Sequence, residues 1–283
     1  MAATFRYDGA RGFTLLELVV ALSIAAILGG FIAMLVSTPV DAYVDRSERA
    51  RTAGDAETVS RHFAEDVRNA LPNSVRIRNV GSRAIVEMLR VEAVSFYALP
   101  GATPDPERDF DAAPGDVFFA YGRFASSAAP YMVVGHEGTG TANDAYAGNG
   151  ITSSFVRQAT GENGRERIEL QSGFAFSAHD PLQRLFWVSG PVAYVCDAAN
   201  NARTLRRFSG YSINAAIPTS ASSSLLNGAT DELIASNVAT CRIGCGGSNE
   251  DICEDMLVLE ATVERPTAGA RELVRVLEQI ALR

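Results

Sequence analysis

The chain has few of the residues from which catalytic sites are built. It contains only three histidines among 283 residues, and His62, His136 and His179 are far apart in the sequence. His62 belongs to a predicted helix surface, and the other two lie in predicted turns. There is no Gly-x-Ser-x-Gly elbow, no His-Glu-x-x-His pair and no phosphate-binding loop. We therefore expect neither an enzyme nor a bound cofactor.

Basic charge is also scarce. The chain carries 25 Lys and Arg against 33 Asp and Glu, which gives a formal net charge of −8. Nucleic-acid-binding domains carry a basic patch, so we expect no nucleic-acid partner. The acids Asp105, Asp109 and Asp111 could supply oxygen ligands to calcium, but their spacing is not that of an EF-hand. A solvated loop is the simpler interpretation, and we predict no metal site.

A long apolar run near the N-terminus is the strongest positive signal. Residues 13–36 are apolar apart from Thr14, Glu17, Ser23 and the pair Gly29-Gly30. A helix of this length crosses a hydrocarbon core of ~30 Å. Arginines precede the run and aspartates follow it, which places the N-terminus in the cytoplasm and the rest of the chain outside.

A signal peptide and an ordinary membrane anchor are two plainer interpretations of this run. A secretory signal peptide has a shorter apolar core, followed by a small-residue cleavage site. Here the run is longer, and Val36-Ser37-Thr38-Pro39 is a poor cleavage site. An ordinary single-span anchor would not need the carboxylate of Glu17, because acids within membrane segments are costly and usually functional.

The helical pattern continues beyond the apolar run. Apolar residues recur at steps of three and four, with charged residues between them, at Ala56, Val59, Phe63, Val67 and Ala70. The sequence Leu71-Pro72-Asn73 stops the helix. We predict one helix over residues 13–71, with a membrane-spanning first half (13–36) and an amphipathic second half.

The remaining residues, 72–283, read as a β-rich head. Predicted strands cover 75–78, 84–89, 93–99, 117–121, 132–134, 167–170, 184–188, 192–196 and 204–213. A last strand over 256–263 pairs with 272–282 across the turn at 266–269. The segment 272–282 also fits a helix with its apolar residues on one face, but the short turn before it favours a strand. Residues 100–115 and 138–150 are rich in turn-forming residues and predict exposed loops. The fold class is therefore α+β, with a long N-terminal helix packed on a β-rich head.

All four cysteines lie in the C-terminal third, at Cys196, Cys241, Cys245 and Cys253. An even number of cysteines in an exported domain favours disulfides. Three pairings are open on sequence grounds. Zinc binding is the alternative, but Cys-x3-Cys-x7-Cys is a poor match to common zinc motifs.

The sequence Gly12-Phe13-Thr14-Leu15-Leu16-Glu17 resembles the processing site of type IV prepilins and pseudopilins. The resemblance implies a type IV pilin-like fold and a leader of residues 1–12. It also implies cleavage between Gly12 and Phe13 by a prepilin peptidase, and methylation of the new amine at Phe13. Glu17 would pair with the amine of Phe13, within one chain or between two, during assembly.

Segments of the head are similar to the MSHA-type minor pseudopilins of the O branch, which are related to the J-type minor pseudopilins of type II secretion. These segments cover residues 71–76, 193–196, 205–211 and 233–238. The resemblance implies disulfides between Cys196 and Cys241 and between Cys245 and Cys253.

The leading expectation is a minor pilin or pseudopilin assembled into a fibre, near its tip. Its partners would be other pilins, an inner-membrane assembly platform and membrane lipid. It would cross the inner membrane once, with a periplasmic head, before entering the fibre. One alternative is a tip adhesin or recognition module whose loops at 100–115 and 138–150 carry specificity. Others are a minor pseudopilin of type II secretion and a membrane-anchored periplasmic enzyme.

Overall fold

A computed structural model of the chain describes residues 14–99, 110–111, 115–124, 129–159, 164–171, 174–176, 178–199, 202–245, 256–267 and 270–282. The chain divides into two compact units, Met1–Arg51 and Thr52–Arg283. The boundary falls within the helix, so the second unit contains the last helical turns and the whole β-rich part.

The described residues contain one α-helix, α1, over Leu15–Arg68. It begins at Leu15 because the hydroxyl of Thr14 accepts a hydrogen bond from the backbone N–H of Glu17 at 3.2 Å, which caps the first turn. It ends at Arg68, three residues before the predicted end. The backbone N–H of Leu71 donates to the carbonyl of Leu89 at 2.7 Å, so the chain has already left the helix to pair with a strand.

Ten of the described strands form a large antiparallel sheet with the order β10-β9-β8-β2-β3-β7-β6. In addition, β1 pairs with β2, β4 with β8, and β5 with β4. The strands are β1 Arg76–Val80, β2 Arg83–Tyr97, β3 Val117–Gly122, β4 Tyr131–Val133, β5 Ile151–Thr152, β6 Phe155–Ala159, β7 Arg165–Leu170, β8 Arg184–Asp197, β9 Thr204–Ser209 and β10 Thr230–Ser236.

A second sheet of three described strands has the order β11-β12-β13. Its strands are β11 Val238–Cys245, β12 Met256–Thr267 and β13 Ala270–Ala281. The chain passes from the large sheet to the small one at Asn237, which adopts a φ of 56° between β10 and β11. Two short 3₁₀ helices, Ala145–Ala147 and Ser224–Leu226, interrupt the connections.

The last turns of α1 pack against both sheets. Val59, Phe63 and Val67 are at most 4% exposed and belong to one apolar cluster that receives residues from the large sheet and from the small one. The large sheet contributes Val86, Met88, Val192, Tyr194 and Leu205, and the small sheet contributes Ile243, Leu257, Leu259, Val276 and Ile280. The amphipathic stripe of the sequence is thus covered on two sides.

Several predicted elements differ from the observed ones. The predicted strands 84–89 and 93–99 are parts of the single strand β2, and 184–188 and 192–196 are parts of β8. Small register shifts near Val91 let β2 continue where the sequence pattern breaks. The hairpin of 256–263 with 272–282 is confirmed as β12 and β13. Strands β5, β6, β10 and β11 were not predicted.

Candidate functional site

The candidate site is the N-terminal part of α1 and the residues just before it. Gly12 and Phe13, the predicted cleavage and methylation positions, lie outside the described residues. Glu17 lies in the first turn of α1, directly after the cap made by Thr14. Its carboxylate is near the positive end of the helix dipole, where a negative charge is stabilised. Thr14 is a helix-starting residue that the sequence interpretation did not identify, although Thr-x-x-Glu is a recognised capping signal.

The helix that follows Glu17 is apolar and uncovered. Residues Leu15–Leu35 are long and apolar enough to cross a membrane, and none of this window is buried. Large side chains such as Leu15, Phe31 and Leu35 are 81%, 70% and 78% exposed. Such a surface is unfavourable in water, so this segment requires lipid or other apolar helices around it.

The other end of α1 is held by a buried carboxylate. Asp66 is 3% exposed and accepts hydrogen bonds from the hydroxyl of Tyr194 at 2.7 Å and from Nε of Arg207 at 2.6 Å. A second arginine, Arg90, approaches the same carboxylate at 3.4 Å. Burial raises the pKa of Tyr194, and the negative charge of Asp66 raises it further by a smaller amount. Tyr194 therefore remains a neutral donor.

A second buried pair stabilises the large sheet. Arg76 and Glu87 are directly paired across β1 and β2, and they are 1% and 2% exposed. Nε of Arg76 donates to Glu87 at 2.7 Å, and its guanidinium also donates to carbonyls of residues 214–216. The hydroxyl of Tyr211 donates to Glu87 at 2.7 Å. Burial raises the pKa of Glu87, and the guanidinium of Arg76 opposes that shift.

The structure joins Cys196 of β8 to Cys241 of β11 by a disulfide. This is the pairing that the resemblance implied, and it connects the large sheet to the small one. Cys245 is also disulfide-bonded. Cys253 lies outside the described residues, so its pairing with Cys245 stays a prediction.

The middle of the predicted exposed loop at 138–150 is packed, which corrects that expectation for residues 143–146. Asn143, Asp144, Ala145 and Tyr146 are at most 4% exposed. The carboxylate of Asp144 accepts from the backbone N–H groups of Gly140 and Tyr146, both at 2.8 Å. Asparagine and aspartate side chains commonly fold a short segment in this way. Most of the other predicted loop, 100–115, lies outside the described residues.

Two of the three histidines meet at one cavity. His136 and His179 both line a cavity of about 310 Å³, together with Asp180 and Arg184. The carboxylate of Asp180 is already bound by Arg184 at 3.0 Å and by two backbone N–H groups. Within the described ranges, no group of three or more His, Cys, Asp or Glu side chains could hold a metal ion. His62 lies on α1, away from this cavity's lining.

Comparison with known proteins identifies the N-terminal segment. Residues 8–33 match the prokaryotic N-terminal methylation motif. Neither a curated protein nor a solved structure matches the chain. The matched residues include the predicted cleavage position, Glu17 and most of the uncovered apolar helix. The motif supports a type IV pilin-like protein that a prepilin peptidase processes, and it points to a structural subunit anchored in a membrane.

Proposed function

We propose that this chain is a minor pilin or pseudopilin, cut between Gly12 and Phe13, methylated at Phe13 and assembled at or near the tip of a type IV pilus or pseudopilus. The observation that carries the proposal is the methylation motif over residues 8–33. That motif runs into a helix whose apolar side chains are not covered by the residues that the structure describes.

Glu17 would guide assembly through its charge. A carboxylate within an apolar environment is costly when alone and is stabilised strongly by a nearby opposite charge. Cleavage after Gly12 creates an amine at Phe13, four residues before Glu17. An incoming subunit whose Phe13 amine reaches the Glu17 of its neighbour satisfies both charges, which fixes the register of the two helices.

The head segments that resemble MSHA-type minor pseudopilins coincide with buried polar contacts. Ser74, in the segment 71–76, accepts from the backbone N–H of Leu89, and its carbonyl accepts from the hydroxyl of Tyr146. Tyr194 and Arg207, from the segments 193–196 and 205–211, share the carboxylate of Asp66. These positions hold α1 and the sheet together, so the segments on which the resemblance rests have structural roles in the head.

The assembly role is tested by replacing Glu17 in the full chain. Glu17→Val should be cleaved, inserted and folded like the unmodified protein. Its amount in sheared fibres should fall by roughly tenfold or more, because the charge partner of the amine is lost. Ser23→Val is the matched control, since it also replaces a polar residue within the apolar span. Equal recovery of Glu17→Val and Ser23→Val in fibres would contradict the assembly role.

The chain offers a direct test of the amine–carboxylate pair, because its sequence contains no lysine. The amine of Phe13 would be the only alkyl amine of the mature protein. Treatment of fibres with an apolar carbodiimide, which can enter the apolar fibre core, should therefore join Phe13 to Glu17 by an amide bond, detectable by peptide mass spectrometry. A Phe13 amide formed only with carboxylates of the head would oppose the proposed pair.

A further inference from the structure

The outer edge of the small sheet is open. β13 pairs with β12 on one side, and the part of the chain that the structure describes places no strand on the other. The pairing of β12 with β13 is continuous from Met256↔Ala281 to Thr267↔Ala270, without a bulge. A long and regular open edge presents unpaired backbone N–H and C=O groups to another strand, and proteins usually avoid leaving one.

The side chains on the outward face of β13 also suit an interface. Leu273 and Leu277 are 60% and 50% exposed, and Arg275 lies between them. Alternate residues of a strand share a face, so these three form one row. Arg275 pairs with Glu260 of β12 at 3.0 Å, and its side chain is 63% exposed.

A complementary edge exists on the large sheet. β10 is paired with β9 only, among the described strands, and its regular pairing ends at a register shift after Leu233. Leu233 is 52% exposed. Asp231 lies on the same face, is 40% exposed and pairs with Arg206 at 2.7 Å. The edge thus carries a leucine and an acid, two residues apart, where β13 carries a leucine and a base.

We propose that β13 of one copy of this chain pairs antiparallel with β10 of a second copy, with Leu273 opposite Leu233 and Arg275 opposite Asp231. Both pairs fit one antiparallel register, because a step of two residues forward on β13, from 273 to 275, matches a step of two residues back on β10, from 233 to 231. The charges then alternate across four neighbouring strands: Glu260, Arg275, Asp231 of the second copy and Arg206 of the second copy. Cross-strand pairs of opposite charge and of apolar residues are stabilising.

The pairing joins two different edges, so it can repeat. Each copy keeps a free β10 when its β13 is occupied, and the contact generates an open chain of subunits rather than a closed dimer. Regular pairing covers about four residues on each strand, which is short. The contact would therefore depend on subunits that are already concentrated in one membrane or one fibre. This inference goes beyond the proposed function and does not require pilus assembly.

Cysteine cross-linking in the full chain tests the register. Leu233→Cys and Leu273→Cys would be made in two differently tagged copies and produced together in cells that make no other prepilin-like protein. Mild oxidation of the membranes should give a mixed disulfide that contains both tags, and neither variant alone should form a disulfide-linked dimer. A chain with both substitutions should form a ladder of oligomers.

The control shifts the register. Leu277→Cys paired with Leu233→Cys exposes an equally accessible cysteine on the same face, four residues away. If this pair cross-links as well as the proposed pair, or if neither cross-links, the proposed register is wrong. Cross-linking of Leu273→Cys to a different protein, without the mixed disulfide, would assign the edge to another partner and overturn the inference.

Reversing the charge at position 275 distinguishes specific pairing of β13 with β10 from random collision of two copies in the membrane. Arg275→Glu in the Leu273→Cys chain should lower the mixed-disulfide yield roughly fivefold to tenfold, because it places like charges opposite each other. Arg78→Glu, on an exposed position of β1, makes the same charge change away from the edge. Equal yields from these two charge variants would show that Arg275 does not meet Asp231.

Discussion

The carboxylate of Asp66 accepts a hydrogen bond from the hydroxyl of Tyr194 at 2.7 Å, and so ties the last turns of α1 to the large sheet. The same carboxylate receives two hydrogen bonds from Arg207, at 2.6 and 3.1 Å. Asp66 is the only acid of the helix that is buried among its described side chains. The attachment of helix to head therefore depends on one charge as well as on apolar packing.

Asp66→Asn should destabilise the head by about 3 kcal/mol, because two arginines lose their buried counter-charge. Tyr194→Phe should cost about 1 kcal/mol, the value of one hydrogen bond. Unfolding of the detergent-solubilised chain can be followed by the fluorescence of Trp187, which is fully buried and is the only tryptophan. Glu65→Gln is the control: its side chain is 61% exposed, and a change within about 0.5 kcal/mol is expected.

Processing should depend on Gly12. A side chain at this position should obstruct the peptidase, so Gly12→Val should accumulate as full-length precursor in the inner membrane. Intact-mass analysis distinguishes the precursor from a mature chain that begins at Phe13. A mature start at Phe13 in this variant would rule out the predicted dependence.

Loss of the disulfide between the two sheets should weaken the head. The chain-entropy model assigns about 4 kcal/mol to closing a loop with the sequence separation of 45 found between Cys196 and Cys241. Replacing both cysteines by alanine should lower the free energy of unfolding by up to that amount, measured by denaturant titration. Peptide mapping without reduction should find Cys245 joined to Cys253; Cys196 joined to either of them would contradict both assignments.

Acidification should destabilise the head through His136. Burial lowers the pKa of His136. Its Nδ1 lies 3.1 Å from the backbone nitrogen of Ala145 and 3.2 Å from the carbonyl oxygen of Asn143, and it accepts from the first or donates to the second according to its tautomer. Below a pH of about 6.5 the unfolded chain binds this proton more readily than the folded one, so the free energy of unfolding falls as the pH drops.

The test compares the melting temperature at about pH 7.5 and about pH 5.5. The chain with His136→Gln should lose less stability on acidification than the unmodified chain. The pKa of Glu87 is raised in the folded chain, so its protonation on acidification stabilises the head and opposes the effect of His136. Glu87 is present in both chains, so the difference between them reports on His136 alone. His62→Gln on α1 serves as the control. Equal pH dependence in the unmodified chain and the His136→Gln variant would show that His136 does not control acid stability.

The helix could be predicted from the sequence because its signals are local. The apolar run, the spacing of Val59, Phe63 and Val67, and the stop at Pro72 each depend on neighbouring residues. The end at Arg68 could not, because the carbonyl of Asn69 and the backbone N–H of Leu71 bond to Val91 and Leu89 of β2 instead of continuing the helix. Pairing with a strand roughly twenty residues further along the chain leaves no local signature in the sequence.

The strands also divide into those that local sequence signals predict and those that depend on distant partners. The hairpin of β12 and β13 joins neighbours across a short turn and was predicted. β10 and β11 were not, because they are stabilised by pairing with β9 and β12 and have no strong local strand pattern of their own. The burial of Asp144 and Tyr146 was missed since the segment is rich in Gly, Asn and Asp, a composition shared by exposed loops and by tightly folded ones.

The bond between Cys196 and Cys241 also limits how far the protein can be stretched. β9 and β10 lie wholly between the two cysteines. At ~3.4 Å per residue, the sequence separation of 45 corresponds to roughly 150 Å of chain that a pull on the two termini cannot release while the bond is intact. Tension passes from β8 to β11 through the sulfurs, so a subunit under load keeps this part of its fold even when other strands separate.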